Sequence, residues 1–286
     1  MTDGAVRAAA APRRMYLDEI LARKRVEVTR RLAHGGVLQR LSAELPLDPA
    51  RGQRALTALR RTSAEAPPRI IAEIKFRSPS VGAIRPPSPG TAAALGRSYQ
   101  DGGAAALSVL ADGPGFGGSP LTVRRVATAC DAPVLFKEFV LDRVQVDLAR
   151  VCGASMVLLL VRALPPGPLQ ALCDDIRRAG MEPVVEAADE AELEVALRTD
   201  ATLVGVNARD LRTFDVDMER AARCLAQVDA GRVAIFMSGI RTPAHFARLG
   251  GTRADAALIG EGLMRCADPA EGVRAMLTGA MLEETT

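Results

Sequence analysis

The sequence contains no tryptophan and few aromatic residues of any kind. Aromatic side chains make up 3% of the 286 residues, whereas 48% of the residues are hydrophobic. The core must therefore be filled by Ala, Val, Leu and Ile, and branched aliphatic side chains are what fills the interior of a parallel barrel. The length suits one large barrel domain with an extension, although two ordinary domains would also fit.

A strong charge excess and a long apolar run are also missing. The formal net charge is +3 and the basic residues are scattered among acidic ones, which argues against nucleic acid as a partner. The densest basic stretch, residues 23–31, also contains Glu27 and is predicted to be the solvated face of an amphipathic helix. No apolar segment approaches the roughly 20 residues that a membrane span needs, so we expect a soluble protein without membrane contact that is not exported.

Metal ligands are scarce and widely spaced. The chain has five cysteines and two histidines, at positions 130, 152, 173, 224 and 266 and at positions 34 and 245. None of them stands at the short spacing that is typical of metal ligands. An odd number of distant cysteines indicates reduced structural thiols in a cytoplasmic protein. The sequence therefore predicts no metal site.

What the sequence does contain is a repeated unit. From Ile70 onward, runs rich in Val, Ile and Leu recur about every 20 to 35 residues, the spacing of a βα unit. We predict eight strands, at residues 70–75, 105–110, 133–137, 155–161, 182–186, 202–207, 232–237 and 256–260. Several runs are apolar at every position, which indicates burial on both faces and a parallel sheet. Eight units with helices between them favour a closed (βα)8 TIM barrel over an open sheet.

The first 65 residues do not follow this rhythm. Residues 16–32 predict one long helix, and residues 38–61 predict a second, looser helical region before Pro67 and Pro68. We therefore divide the chain into an N-terminal helical extension, residues 1–65, and a barrel domain, residues 66–286. The sequence leaves open whether the extension packs across the barrel mouth or covers the barrel bottom.

Charged side chains end several of the predicted strands. Because the carboxyl ends of barrel strands meet on one face, these side chains are expected to share a pocket. Glu73 and Lys75 lie two residues apart and point to the same face, either as reacting groups or as an ion pair that only braces the barrel. Lys137 is the candidate general acid, and Glu186 is the candidate base or lysine partner.

Groups suited to an anionic ligand follow the last three strands. Asn207 and Arg209 offer amide and guanidinium donors, unless Arg209 only pairs with the adjacent Asp210. Ser238-Gly239 follows the seventh strand, and Gly260-Glu261 follows the eighth. In barrels these two loops form a phosphate site from backbone N–H groups. The predicted ligand is therefore a phosphorylated small molecule.

Together these segments resemble the indole-3-glycerol phosphate synthase family. The resemblance runs in order from about Tyr16 to Leu277. It is carried by residues 71–75 with 78–80, 107–110 with 116–119, 133–139, 153–154, 185–186 with 189–190, 205–211 with 213–214, and 259–264. It implies a lyase of tryptophan biosynthesis that closes the indole ring of 1-(2-carboxyphenylamino)-1-deoxyribulose 5-phosphate. Carbon dioxide and water are released, and no cofactor is needed.

The resemblance also implies a role for each candidate residue. Lys137 would protonate the ketone of the substrate, and Glu186 would be the base of the later dehydration. Lys75, supported by Glu73, would contact the anionic groups of the substrate and assist as an acid. The implied substrate-binding residues are Ser78, Asn207, Arg209, Ser238, Gly239, Gly260 and Glu261.

One position departs from the family pattern, and other interpretations stay open. Met237 stands where the family usually has glutamate, so we expect a divergent copy that is slower or adjusted to a modified anthranilate ring. One rival is a phosphosugar isomerase on the same barrel, which would use a cysteine and an aspartate, yet no cysteine ends a predicted strand. Another is a silent barrel that only binds. Both a monomer and a homodimer fit the sequence.

Overall fold

The protein is a closed barrel of eight parallel strands surrounded by helices. The structure, a computed structural model, describes residues 15–79, 81–86, 90–210 and 214–280. Positions 80, 211 and 213, which belong to the family-like motifs, lie outside these ranges. The barrel strands are β1 (Arg69–Ile74), β2 (Ala106–Leu110), β3 (Val134–Lys137), β4 (Met156–Leu160), β5 (Glu182–Ala187), β6 (Leu203–Asn207), β7 (Val233–Met237) and β8 (Ala256–Ile259). Neighbours in sequence pair in parallel, and β8 closes the ring against β1.

Helices lie before β1 and after every barrel strand, as the predicted fold requires. They are α1 (Met15–Ala33), α2 (Gly35–Glu44), α3 (Ala50–Leu59), α4 (Thr91–Asp101), α5 (Gly113–Phe116), α6 (Pro120–Ala129), α7 (Arg143–Val151), α8 (Pro166–Arg178), α9 (Glu190–Arg198), α10 (Met218–Leu225), α11 (Pro243–Ala247), α12 (Glu261–Met264) and α13 (Pro269–Thr278). Short 3-10 turns cover Val161–Ala163 and Arg248–Gly251, and a small antiparallel hairpin pairs Arg77–Ser78 with Gly82–Ala83.

The predicted TIM barrel is confirmed, and local sequence signals explain its elements. Each predicted strand is present with its ends shifted by at most one residue, because the apolar runs are buried on both faces. Several helices begin at a side chain that accepts a backbone N–H, as the caps Asp189, Thr242 and Asp268 do. The fourth run ends earlier than predicted, since Val161 begins a 3-10 turn.

The second helical region of the extension is interrupted, unlike the prediction. Residues 38–61 fall into α2 and α3, with residues 45–49 between them. Leu45 has an extended backbone, and it precedes Pro46. A residue before proline is sterically disfavoured in the helical region, so α2 ends there.

The extension touches the barrel at both ends. At the mouth, α1 buries Leu17, Ile20 and Leu21 in the same apolar cluster as Phe139, which follows β3. At the bottom, α3 buries Ala55 and Leu59 in that cluster, and the Gly52 N–H donates to the Gly180 carbonyl just before β5, at 3.1 Å. Both placements considered from the sequence therefore apply, to different helices. The domain boundary at residue 65 stays a prediction.

Candidate active site

A pocket opens at the carboxyl ends of the barrel strands. Its volume is about 1040 Å³ when counted to the open mouth. Every candidate residue named from the sequence lines it: Glu73, Lys75, Ser78, Lys137, Glu186, Asn207, Arg209, Ser238, Gly239, Gly260 and Glu261. Because the barrel strands are parallel, all of these groups are delivered to the same end. The structure brings the residues together, and their individual roles stay predictions.

Lys137 and Glu186 form the central ion pair of the pocket. The Lys137 Nζ lies 3.2 Å from the Glu186 Oε2, so β3 and β5 meet across β4. The Asn207 amide donates to the other oxygen, Glu186 Oε1, at 2.8 Å. The Arg209 N–H in turn donates to Asn207 Oδ1 at 3.0 Å. The Glu186 carboxylate is therefore held through both oxygens, one bound by Lys137 of β3 and the other by Asn207 of β6.

A second ion pair sits at the end of β1. The Lys75 Nζ lies 2.6 Å from Glu73 Oε1, and the Glu73 side chain is almost fully buried. Burial raises the pKa of Glu73, but Lys75 and Lys137 outweigh it, and the pKa lies below its usual value. Gly260 makes room for this pair, because a Cβ there would lie 2.6 Å from Glu73 Oε1.

The loops after β7 and β8 form the other side of the mouth. Ser238 and Gly239 both have positive φ, 68° and 85°. Consecutive residues in such turns expose backbone N–H groups to anions. Arg241 lies 3.6 Å from Glu261. Burial and the charge of Arg241 lower the pKa of Arg209, and both side chains line the pocket.

An apolar wall, which sequence reasoning missed, faces these loops. It consists of Leu110, Phe116, Phe139, Leu158 and Leu160. The rings of Phe116 and Phe139 are 6.0 Å apart between centroids, within the range of favourable aromatic contacts. Both phenylalanines lie in segments that carry the family resemblance. In a chain with 3% aromatic residues, two of them in the segments that follow β2 and β3 were a usable signal.

Met237 belongs to the pocket lining and is almost fully buried. It ends β7 and stands in register with Asn207 of β6 and Leu258 of β8. Its thioether lies over Gly205, where a Cβ would meet the Met237 Sδ at 3.0 Å. An apolar group thus occupies the place next to the Glu186–Asn207 pair.

The basic stretch of α1 is only partly the solvated face that the sequence predicts. Arg25 and Arg30 are exposed, but Lys24 is 1% exposed. The Lys24 Nζ lies 2.9 Å from Glu138 and 3.0 Å from Asp112. The prediction fails at Lys24 because its carboxylate partners come from strand ends far along the chain, which helical periodicity does not report.

Two further findings bear on the expected absences. Among the residues that the structure describes, no group of three His, Cys, Asp or Glu side chains is placed to hold a metal ion. No helix in the described ranges is long and apolar enough to cross a membrane. The five cysteines are all free thiols.

The fold and the site define a class, the TIM barrels with an acid–base pocket at the strand ends and glycine-containing loops after the last two strands. A family model described as indole-3-glycerol phosphate synthase matches residues 17–276. The chain belongs to the indole-3-glycerol phosphate synthase family, as its motifs predicted.

Curated relatives agree along nearly their full length. An indole-3-glycerol phosphate synthase from Aromatoleum aromaticum is 42% identical, with 91% of this chain and 98% of the relative covered. The protein named indole-3-glycerol phosphate synthase 2 from Streptomyces coelicolor is 41% identical over 85% of this chain and 99% of its own length. The corresponding protein from Rhodopirellula baltica is 38% identical, with 91% and 98% covered.

Solved structures of lower identity share the barrel. A 3-hexulose-6-phosphate synthase aligns with a TM-score of 0.58 at 17% identity, covering 75% of this chain and all (100%) of that one. A chain of a tryptophan synthase complex from Pyrococcus furiosus aligns with a TM-score of 0.53 at 15% identity, with 75% and 99% covered. These likenesses concern the fold alone.

Proposed function

We propose that this protein is an indole-3-glycerol phosphate synthase, a carboxy-lyase of tryptophan biosynthesis. It converts 1-(2-carboxyphenylamino)-1-deoxyribulose 5-phosphate into indole-3-glycerol phosphate, carbon dioxide and water. The observation that carries the proposal is the Lys137–Glu186 pair, 3.2 Å apart in the pocket of a chain of this family. One group is suited to give a proton and the other to take one, as ring closure followed by dehydration requires.

The acid and base steps follow from the positions of the two side chains. The ring carbon that bears the carboxyl group attacks the ketone carbon, and the Lys137 ammonium gives its proton to the ketone oxygen. The carboxyl group then leaves as carbon dioxide, its bond electrons restoring the ring. Glu186, fixed by Asn207 at 2.8 Å, takes a proton from the ring system, while the hydroxyl group receives a proton from Lys75 and departs as water. Lys75 faces the anionic part of the substrate and assists as an acid.

The barrel geometry sets the orientation of the substrate. In a ring of eight strands, β3 lies opposite β7, and β4 lies opposite β8. The apolar wall around Phe139 and Leu158 therefore faces the loops that contain Ser238 and Gly260. We place the aryl ring against the wall and the phosphate on the loops, with Arg209 and Ser78 binding the chain between them. Backbone N–H groups and glycines at such loops suit a phosphate.

The proposed function is tested by product fluorescence. The protein has no tryptophan, so the indole product is detected without an indole background from the enzyme. The purified protein should turn over the carboxyphenylamino deoxyribulose phosphate, and Lys137→Ala should abolish turnover while phosphate binding remains. The matched control is Arg25→Met, which removes an exposed charge of α1. Absence of turnover by the unaltered protein would contradict the proposal.

Met237 supports a second candidate function on the same site. The family usually has a glutamate here, and the methionine leaves an apolar surface beside Glu186. A divergent enzyme would act slowly on the standard substrate or accept a modified anthranilate ring. The isomerase alternative lacks its cysteine, since the five cysteines lie in helices or just after them. A silent binding role is disfavoured by the intact ion pairs.

The reaction is proposed to take place in the cytoplasm, on a free small-molecule substrate. The free thiols support a reducing compartment. No nucleic acid and no resident cofactor enter the proposed chemistry, because proton transfer by Lys137, Glu186 and Lys75 is sufficient for each step. Both a monomer and a homodimer are compatible, since the pocket is lined by one chain.

A further inference from the structure

Lys24 lies at the centre of a buried charge cluster between α1 and the barrel mouth. Its Nζ lies 2.9 Å from Glu27, 3.0 Å from Asp112 and 2.9 Å from Glu138. Asp112 is completely buried and also accepts from the Arg23 guanidinium at 3.0 Å. One ammonium group thus joins an extension helix to the segments that follow β2 and β3.

The two barrel carboxylates each hold a piece of backbone that carries a pocket phenylalanine. Asp112 accepts the Gly115 N–H at 2.8 Å and so caps α5, which ends at Phe116. Glu138 accepts the Phe139 N–H at 2.8 Å. Because Lys24 binds both carboxylates, it fixes the separation of the segments that present Phe116 and Phe139.

Attachment of α1 to the barrel does not account for the cluster. The helix already buries Leu17, Ile20 and Leu21 in the barrel cluster. Apolar residues in place of a whole buried ion pair leave stability unchanged in many proteins, so apolar side chains at position 24 and at its carboxylate partners would attach the helix equally well. The cluster instead specifies where two strand-end segments lie.

The basic residue at position 24 is a lysine, and lysine is rare in this chain. Of the 37 lysine and arginine residues, only three are lysines: Lys24, Lys75 and Lys137. The other two line the pocket. An ammonium group is compact and donates in three directions from one atom, whereas a guanidinium is a planar fork. Three carboxylates that converge on a single nitrogen suit the ammonium group.

We propose that Lys24 is a positioning residue of the active site, which holds the Phe116–Phe139 pair in place for the aryl ring of the substrate. The inference rests on the proposed function for the identity of that ring. It assigns to the N-terminal extension a part in substrate recognition, although none of the side chains that the structure describes in α1 lines the pocket.

The linkage itself is tested by hydrogen exchange, which does not depend on any substrate. In Lys24→Met, backbone amides of residues 113–117 and 138–140 should exchange at least about tenfold faster than in the unaltered protein. Arg25→Met, which removes a neighbouring exposed charge, should leave both segments unchanged. Unchanged exchange at both segments in Lys24→Met would overturn the proposal.

The effect on recognition is tested with two probes that reach different ends of the pocket. One is the substrate analogue whose ketone is reduced to an alcohol, and the other is inorganic phosphate; both are measured by calorimetry. Lys24→Met should weaken the aryl-bearing analogue about tenfold, the worth of an aromatic contact, and leave phosphate unchanged. Equal weakening of both probes would indicate general loosening and overturn the positioning role.

A second variant covers the case in which Lys24→Met does not fold. Glu138→Gln keeps an oxygen for the Phe139 N–H but removes the charge that Lys24 binds. Exchange should then accelerate at residues 138–140 and not at 113–117, since Lys24 keeps Asp112. No change at either segment contradicts the linkage. If the unaltered protein fails to bind the analogue, the proposed function fails, whereas the exchange result still decides the linkage.

Discussion

At the residue scale, the pocket is built from charges that are each held by a specific partner. Glu186 is bound through both oxygens, by Lys137 and by Asn207. Glu73 is bound by Lys75 at the end of β1. A carboxylate with both oxygens bound keeps one orientation. Preorganised groups of this kind lower the activation free energy, because they need not reorient during the reaction. Met237 is the exception, because it brings an apolar group into this polar region.

Restoring a carboxylate at position 237 is expected to increase activity. Met237→Glu should raise kcat/KM on the standard substrate by about tenfold or more, the value of one regained hydrogen-bonding contact of about 1 to 3 kcal/mol. Met237→Gln provides a neutral side chain of similar shape as the control. No gain in the glutamate variant would remove the idea that this position limits activity.

Glu138 is expected to make stability depend on pH near neutrality. Burial raises its pKa to about 7, although Lys24 and the Phe139 N–H lower it. The charged groups packed around it are Lys24, Glu27, Asp112 and Arg23. A carboxyl group with a raised pKa holds its proton longer in the folded protein, so the free energy of unfolding falls as the pH rises from about 4.5 to about 7.

The measurement is urea unfolding across that range, for the unaltered protein and for Glu138→Gln. The difference between the two proteins isolates the single group, and its slope should approach about 1.4 kcal/mol per pH unit at most. Glutamine does not titrate, so the variant should lack this part of the fall. Parallel curves for the two proteins would show that Glu138 is ionised throughout.

At the scale of elements, the extension helices have separate tasks. Helix α1 lies at the mouth, where Lys24 binds Glu138. Helix α3 closes the bottom, and the Arg61 guanidinium that follows it donates to the Gly250 carbonyl at 2.9 Å. A barrel interior is a packed core, and an end without a cover would expose the lowest layer of that core to water.

Truncating a buried side chain of α3 at the barrel bottom should reduce stability without changing catalysis. Leu59 is completely buried in the interior cluster, so Leu59→Ala should lower the free energy of unfolding by about 2 to 5 kcal/mol. Because the site lies at the other end, kcat/KM of the folded variant should stay within about twofold. Leu41→Ala, at a 45% exposed position of α2, is the control. A large loss of activity in folded Leu59→Ala would contradict this separation.

At the scale of the whole molecule, closure of the barrel is what assembles the site. The ring is completed by β1 against β8, with Arg69 in register with Ala256. Closure brings Glu73 of β1 within 2.6 Å of the position of a Cβ at Gly260, which follows β8. Glu73 and Gly260, almost 190 residues apart in sequence, are therefore neighbours only because the barrel closes.

Phosphate is expected to stabilise the folded barrel by binding at the loops after β7 and β8. At about 100 times its dissociation constant, phosphate should add about 2.7 kcal/mol to the free energy of unfolding. For a chain of this size, that increase corresponds to a rise in Tm of about 5 to 10 °C. Gly239 has φ 85°, and a Cβ there would lie 3.0 Å from Val216. Gly239→Ala should therefore lose this phosphate-dependent rise.

Two controls accompany the melting curves. Gly250→Ala adds a Cβ where nothing lies within 4 Å, so it should keep the rise with phosphate. Potassium chloride at equal ionic strength should produce little change in any of the proteins. A rise with phosphate that survives in Gly239→Ala would place the anion elsewhere.

The sequence by itself determined the barrel, its eight strands and the polar candidate residues that line its pocket. The reason is that the signals are local. Short segments of sequence are enough to indicate a strand buried on both faces, a helix cap such as Asp189 or a polar group at a strand end. Parallel strands then deliver their ends to one face. The roles proposed for Lys137 and Glu186 rest on family motifs of the same local kind and stay predictions.

Only the tertiary structure decided which distant groups meet. Lys24 looks like one more basic residue of a solvated helix until folding places it against Glu138, 114 residues along the chain. The pairing of Phe116 with Phe139 and the closing of the bottom by α3 are of the same kind. Periodicity reports which face of an element is apolar, but the partner of a buried charge depends on how whole elements pack.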